Sequence, residues 1–237
     1  MQFIENSIAG VRAAFLKFRS REAQCTYTLL PMIHIGEQSF YDEVLRELER
    51  HDLILYESAD HSLAKGLTRD YDKVAASRRI KLVTQRAALT GATQLQGKWV
   101  HLDASAEDLS NWWRALPLWQ RILIRPVRWG VFFWLRHFGD RMTLASRLTT
   151  ADLRTSQEIL DHEDGPSIDW LISEQRDKSI VARLEKFHAT VADKPLSIAI
   201  LFGAAHSRAI VHHLMSRHHY QVFESRWATV FGWQTPP

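Results

Sequence analysis

The chain is nearly devoid of cysteine, with Cys25 the only one in 237 residues. A single thiol excludes an internal disulfide, so the fold must close on apolar burial alone, and the composition suits a reducing, cytoplasmic setting. A long uncharged apolar run is also missing. The greasiest stretch, 117–137, carries Arg121, Arg125, Arg128 and Arg136. Charges of that number at bilayer depth argue against a spanning helix. No dense Lys/Arg block is present, and 30 basic against 27 acidic residues leave a net charge of only +3. That balance, with no recognition motif, gives no footprint for nucleic acid. The glycine-rich loops of nucleotide sites are lacking, as are the G-x-S-x-G elbow and the H-E-x-x-H helix. The first 24 residues include Glu5 and have no apolar core followed by a small-residue cleavage site. They read as a helix rather than a signal peptide.

What remains is an ordinary globular composition, 46% hydrophobic and 24% charged, long enough for one α/β domain over 1–237. Residues 26–33, 52–58, 196–202 and 219–225 are short apolar runs of strand-forming type. Between them lie helix-periodic stretches marked by Phe40, Tyr41, Val44, Leu45 and Leu48, and by Ile210, Val211, Leu214 and Met215. Buried strands alternating with helices predict a mainly parallel central sheet flanked by helices. Ser39 and Ser207 are candidate N-caps. Weaker strand candidates are 79–83 and 98–102. The region 104–165 breaks the rhythm and reads as a helical insertion, within which Pro126 should kink or break any helix. The simplest picture of 117–137 is a helical hairpin packed on the core with its arginines in solvent. The alternative is a peripheral membrane or partner surface. A long helix is expected from about 167, with Ile180, Leu184, Phe187 and Val191 on its apolar face. Arg176 falls near the centre of that face, where a charge must be paired or line a cleft.

The chain contains one pattern twice. An apolar run ends in histidine (His34, His206), a helix-like stretch follows, and a second apolar run ends in aromatic-Glu-Ser, at Glu57 and Glu224. These are two strand-His-helix-strand half-repeats. In open α/β sheets ligands bind beyond the carboxyl ends of the strands, where helix starts also present backbone N–H groups. His34, His206 and Glu57 are therefore placed on one rim. Two imidazoles and a carboxylate form a ligand set for a divalent transition metal. Arg176 would pair with Glu57 or stabilise an oxyanion. Glu224 reads as structural, and His101 and Asp103 either join the rim or, for Asp103, cap the helix near Ala106. His212, His213, His218 and His219 read as mainly surface residues.

These residues resemble the TraB/Tiki superfamily, whose wider circle takes in erythromycin-esterase-like and haem-uptake relatives. The second Gly-x-x-His motif is Gly203-Ala204-Ala205-His206, and the strand-ending glutamate is Glu57. The arginine motif appears as Glu174-Gln175-Arg176-Asp177. Pro31-Met32-Ile33-His34 departs from the first Gly-x-x-His motif at Pro31. The resemblance spans about 27–103 and 167–225. It implies a metal-dependent hydrolase using Mn, Co or Zn, with His34, His206 and Glu57 as ligands and Glu57 and Arg176 as catalytic groups. The substrate would be a peptide or a small ester or amide. The alternative on the same fold is a binding or regulatory protein that holds a peptide, haem or a partner without turnover. Peripheral membrane contact through 117–137 and a homodimer are both compatible with that picture.

Overall fold

The computed structural model describes residues 1–57, 62–90, 95–150 and 174–233. It is a mixed α/β structure whose central, mostly parallel sheet is flanked by helices. In chain order the strands are β1 (Ile4–Ser7), β2 (Gly10–Arg19), β3 (Thr26–Met32), β4 (Ile35–Gly36), β5 (Leu53–Tyr56), β6 (Val83–Thr84), β7 (Trp99–His101), β8 (Ser197–Gly203) and β9 (Gln221–Gly232). The helices are α1 (Gln38–Leu48), α2 (Ser62–Ala75), α3 (Gln85–Leu89), α4 (Ala106–Ala115), α5 (Leu118–Phe138), α6 (Arg141–Thr150), α7 (Arg176–Val191) and α8 (Ser207–His218). The expected insertion beyond residue 150, and the start of the helix expected from 167, lie outside the described residues.

The parallel part of the sheet runs β3-β8-β5-β7. β2 joins it antiparallel to β3 and carries β1 and β9, both antiparallel, along its edges. Alternation along the strands sends side chains to two faces. Leu30, Ile54, Ala199 and Leu201 meet Phe40, Tyr41 and Val44 of α1, Leu135 of α5 and Leu144 of α6. Tyr27, Leu29, Leu55, Ile198, Ile200 and Phe202 meet Ile180 and Leu184 of α7 and Ile210, Val211 and Leu214 of α8. Both half-repeats are present, and they differ in where the return strand goes. The first crosses from β3 over β8 to β5, while the second leaves β8 in the opposite direction and reaches β2 as β9. Crossovers of one hand running in opposite directions place their helices on opposite faces, which is where α1 and α8 lie. The crevice of such a sheet opens between the two diverging strands, here β3 and β8.

The amino-terminal segment forms β1 and β2 and not the expected helix. β2 is covered on both faces and paired on both edges, so Val11, Ala13, Ala14, Phe15, Leu16 and Phe18 are all buried. A strand buried on both faces loses the alternation that distinguishes it from a buried helix. Residues 79–81 are likewise not strand. Lys81 has φ 46°, and pairing begins only at Val83. The helix starts also differ in detail: Glu37, not Ser39, is the N-cap of α1, and Ser207 is the first residue of α8. Arg141, buried at the start of α6, donates to the carbonyls of Ile80 and Gly232 at 2.9 and 2.8 Å and to Glu37 Oε1 at 2.7 Å, tying three distant segments together.

His51 closes the amino-terminal end of β5. Its Nδ1 lies 2.8 Å from the carbonyl of Glu47, which can only accept, so Nδ1 donates and Nε2 accepts from Thr28 Oγ1 at 2.8 Å. Burial holds this imidazole below the usual histidine range. The Glu47 carbonyl and carboxylate oppose the shift, Lys17 adds to it and Asp52 opposes it. A depressed folded-state pKa gives stability that is full above about pH 6.5 and is lost as pH falls toward the folded value. The melting temperature is therefore expected to drop on acidification from neutral pH, and His51→Gln to flatten that dependence. Equal slopes for the two proteins would remove His51 from the acid response.

Candidate active site

All four parallel strands deliver a polar residue at their carboxyl ends. Glu57 follows β5 directly, Asp103 lies two residues after β7, His34 two after β3, and His206 three after β8. The first turn of α7 faces them with Arg176 and Asp177.

Arg176 is the hub. Its Nη2 donates to Glu57 Oε1 at 2.7 Å and to Asp103 Oδ2 at 2.6 Å, and its Nε reaches Asp103 Oδ1 at 3.3 Å. The Arg176 side chain is 11% exposed, Glu57 17% and Asp103 0%. Charges this deep persist only because each is paired. Burial would lift the Glu57 carboxyl, but Arg176, the two histidines and a backbone N–H outweigh it and hold its pKa down to about 2. Burial would lower Arg176, and the carboxylates of Glu57 and Asp103 instead raise it. The arginine on an apolar helical face is therefore a buried, paired charge.

Glu57 Oε2 accepts the N–H of Gly203 at 2.7 Å. A side chain at 203 would place its Cβ 3.1 Å from that oxygen. This close approach is a physical reason for glycine to open the Gly203-Ala204-Ala205-His206 turn. The chain then makes one 3₁₀ turn that carries His206 into the site. His206 is 3% exposed, and its Nδ1 meets Asp177 Oδ1 at 2.6 Å. A carboxylate on Nδ1 fixes the tautomer and the ring plane, and it directs Nε2 away from Asp177. Asp177 also sits in the first turn of α7, where a negative charge is favoured by the helix dipole.

His34 is exposed. Its Nδ1 lies 3.3 Å from Gln85 Oε1 at the start of α3, and its ring packs 5.0 Å from that of Tyr71 on α2. Its charge acts on Glu57, as does that of His206. Pro31 lies in β3 beyond the last residue paired with β2, Leu29, so its missing N–H takes nothing from that ladder. The strand register sets Met32, not Pro31, opposite Gly203, so the two histidine turns are offset by one residue.

The structure thus brings Glu57, Arg176 and His206 together, with His34 on the same rim, and adds Asp103 and Asp177. Asp103 joins Arg176 and does not cap α4, whose N-cap is Ser105 in a capping box with Asp108. His101 is exposed, with its ring on Tyr56. Glu224 is on β9, paired with Lys17 at 2.9 Å. Tyr71 escaped the sequence reading altogether. Burial and the Glu57 charge raise its pKa, so the phenol stays a neutral donor beside the carboxylate. Its only sequence signal was its place on the inner face of α2.

Among the described residues, three His, Cys, Asp or Glu donor atoms lie mutually within 4.8 Å only at Glu185, His213 and His218, on α7 and α8. At the rim, the donors of His34, Glu57 and His206 are more widely spread. No protein-family model matches the chain, and no curated protein or solved structure matches it either.

Proposed function

We propose that the protein is a metal-dependent hydrolase of the TraB/Tiki kind, acting on a peptide or a small ester or amide at the rim of His34, Glu57, Arg176 and His206. The observation that carries this reading is the Asp177–His206 pair set beside an arginine-anchored carboxylate at the carboxyl ends of parallel strands. The local charge supports a cation. Arg176 pairs with Glu57 and Asp103, and Asp177 pairs with His206, so once the imidazoles are neutral, as metal ligation requires, three carboxylates are left with one guanidinium, an excess negative charge that a divalent ion would balance. Nε2 of His206 and the remaining lone pairs of Glu57 are suitable donors. His34 is exposed and has the rotamer freedom to turn from Gln85 toward them. Held by these donors, Mn, Co or Zn would supply a water nucleophile at neutral pH and would polarise a carbonyl.

The residues divide the remaining work. Asp177 holds the His206 ring. Glu57, tied to Arg176 and to the Gly203 N–H, serves as a ligand or as the general base. Arg176 fixes Glu57 and offers positive charge to a developing oxyanion. Tyr71 contributes a neutral O–H on the same side. The decisive experiment measures metal content, and hydrolysis of a peptide and ester panel with added Mn, Co or Zn, for wild type and His206→Ala. Metal-stimulated turnover that His206→Ala lacks supports the reading. A wild type that retains no metal and gains nothing from added ions overturns it.

A second reading, a binding protein attached to a membrane surface, is favoured by α5. This helix runs unbroken through Pro126, which sits on its exposed side, and only part of its arginine face lies in solvent as expected. Arg128 lies inward across α2 at Gly66, paired with Asp70 at 3.1 Å, while Trp119, Ile122, Trp129, Phe133 and Trp134 are exposed. Arg125 and Arg136 are exposed beside this apolar arc, and α5 has no acidic residue. No helix among the described residues is long and apolar enough to cross a membrane. Aromatic side chains bordered by arginine match an interfacial helix on anionic lipid. Vesicles containing phosphatidylglycerol are expected to bind the protein, more weakly at high salt. The triple variant Trp129→Gln/Phe133→Gln/Trp134→Gln, altered only at exposed positions, should bind at least about 10-fold more weakly. Vesicle binding that the triple variant leaves unchanged would refute the lipid assignment. So would a dimer in solution that this variant dissociates, which would make the arc a self-association surface.

A further inference from the structure

The facing sides of α7 and α8 carry a second convergence of donors, independent of the rim. Glu185 lies about 13 Å along α7 from Arg176 at 1.5 Å per residue. Its Oε2 is 2.7 Å from His218 Nε2 and 2.9 Å from His213 Nε2. One carboxylate oxygen thus faces two imidazole nitrogens from the neighbouring helix. The contact with His218 is a hydrogen bond. The buried Nε2 of His213 has this same oxygen as its neighbour, so one carboxylate oxygen is shared by two imidazoles. Three donors closing on one point in this way form a ligand set.

The local fold explains why these side chains meet. His213 and His218 are five residues apart and would diverge on an isolated helix. His218 is the last residue of α8, and His219 then takes the left-handed conformation at φ 53° that turns the chain into β9. The imidazole of His218 packs against that of His188 on α7, with ring centroids 4.0 Å apart, and His188 Nδ1 is in turn engaged by Tyr27 Oη at 3.1 Å. The ring of His218 is therefore held against α7 from behind. His212 and His219, which look equivalent in sequence, are exposed and take no part.

We propose that Glu185, His213 and His218 bind a zinc-class divalent cation that clips α8 to α7. Two imidazoles and one carboxylate are donors for zinc and its transition-metal neighbours, not for calcium or magnesium, which require oxygen ligands. Three protein donors leave a coordination position for water. The half-exposed Glu185, with 43% of its side chain accessible, opens that position to solvent. The clip joins the helix that carries Arg176 and Asp177 to the unit that carries His206, so its occupancy stiffens the frame on which the rim is built. The assignment does not depend on the hydrolase reading.

The test uses chelator-stripped full-length protein titrated with Zn²⁺, and with Co²⁺ as a spectroscopic stand-in. The variants His213→Gln/His218→Gln and His206→Ala separate the two sites. The clip is expected to add one zinc per chain, present in wild type and in His206→Ala, with a rise in melting temperature as it fills. In the double variant that one equivalent should lose affinity by more than the roughly 10–100-fold that losing an outer partner costs, and its share of the thermal response should vanish. Circular dichroism on the double variant checks that the fold is retained, which the partial exposure of both histidines favours. Zinc binding of equal stoichiometry and affinity in the double variant overturns the proposal, as does a wild type that takes up no zinc at micromolar concentration. Loss of the site in His206→Ala but not in the double variant would assign the metal to the rim instead.

Discussion

Arg176→Ala is expected to be the most damaging single substitution for stability, by about 3–5 kcal/mol, the range seen when one member of a buried ion pair is deleted. The reason is what stays behind. Asp103 has no exposed side-chain surface and Glu57 very little, and both lose their guanidinium partner at once. For a chain of this length the loss corresponds to a fall in melting temperature of about 10 °C. Removing the stranded charges should restore much of it. Arg176→Met combined with Glu57→Gln and Asp103→Asn is expected to melt well above Arg176→Met alone, because neutral groups of the same shape tolerate burial better. Thermal melts of these variants decide the matter. If Arg176→Ala melts with wild type, the triad of charges is not what holds the carboxyl ends of β5 and β7 to α7.

Catalysis should fall in two grades around His206. His206→Ala removes the imidazole and is expected to take metal-dependent hydrolysis below detection. Asp177→Asn leaves the ring in place but replaces the carboxylate at Nδ1 by an amide. The expected loss is about 10–100-fold in activity or metal affinity, the usual effect of changing the group behind a ligating histidine. The gap between the two variants is the informative quantity. An Asp177→Asn protein as inactive as His206→Ala would make the carboxylate a direct participant, and one as active as wild type would leave the 2.6 Å contact without a catalytic role.

Much of this rim was legible in the sequence because its signals are local. Apolar runs end in His34, Glu57 and His206, and the phase of one helix places Arg176 inward. What was not legible depends on pairing between distant segments. Whether Asp103 would cap α4 or enter the site turned on where β7 lies in the sheet, and periodicity says nothing about strand order. Tyr71 shares an inner helical face with residues that merely pack. The amino-terminal strands were hidden because β2 is buried on both faces and reads like a helix core. Of the arginines of α5, Arg125 and Arg136 are exposed as expected, while Arg128 departs because Asp70 and the space over Gly66, neither visible in 117–137 itself, draw it inward.

The strand order β3-β8-β5 has a further consequence for how the molecule forms. β8 fills the gap between two strands synthesised long before it, and Glu57 finds Arg176 and Gly203 only 119 and 146 residues later in the chain. Contacts of such separation make folding slow, since loop closure is costly until the last partner arrives. A nascent chain lacking its final third has three strand edges left open, those of β2, β3 and β5, and two acidic groups with no counterion. Unpaired edges of this kind are what chaperones shield during synthesis. Refolding from denaturant should therefore recover far-ultraviolet circular dichroism before it recovers whatever activity the rim supports.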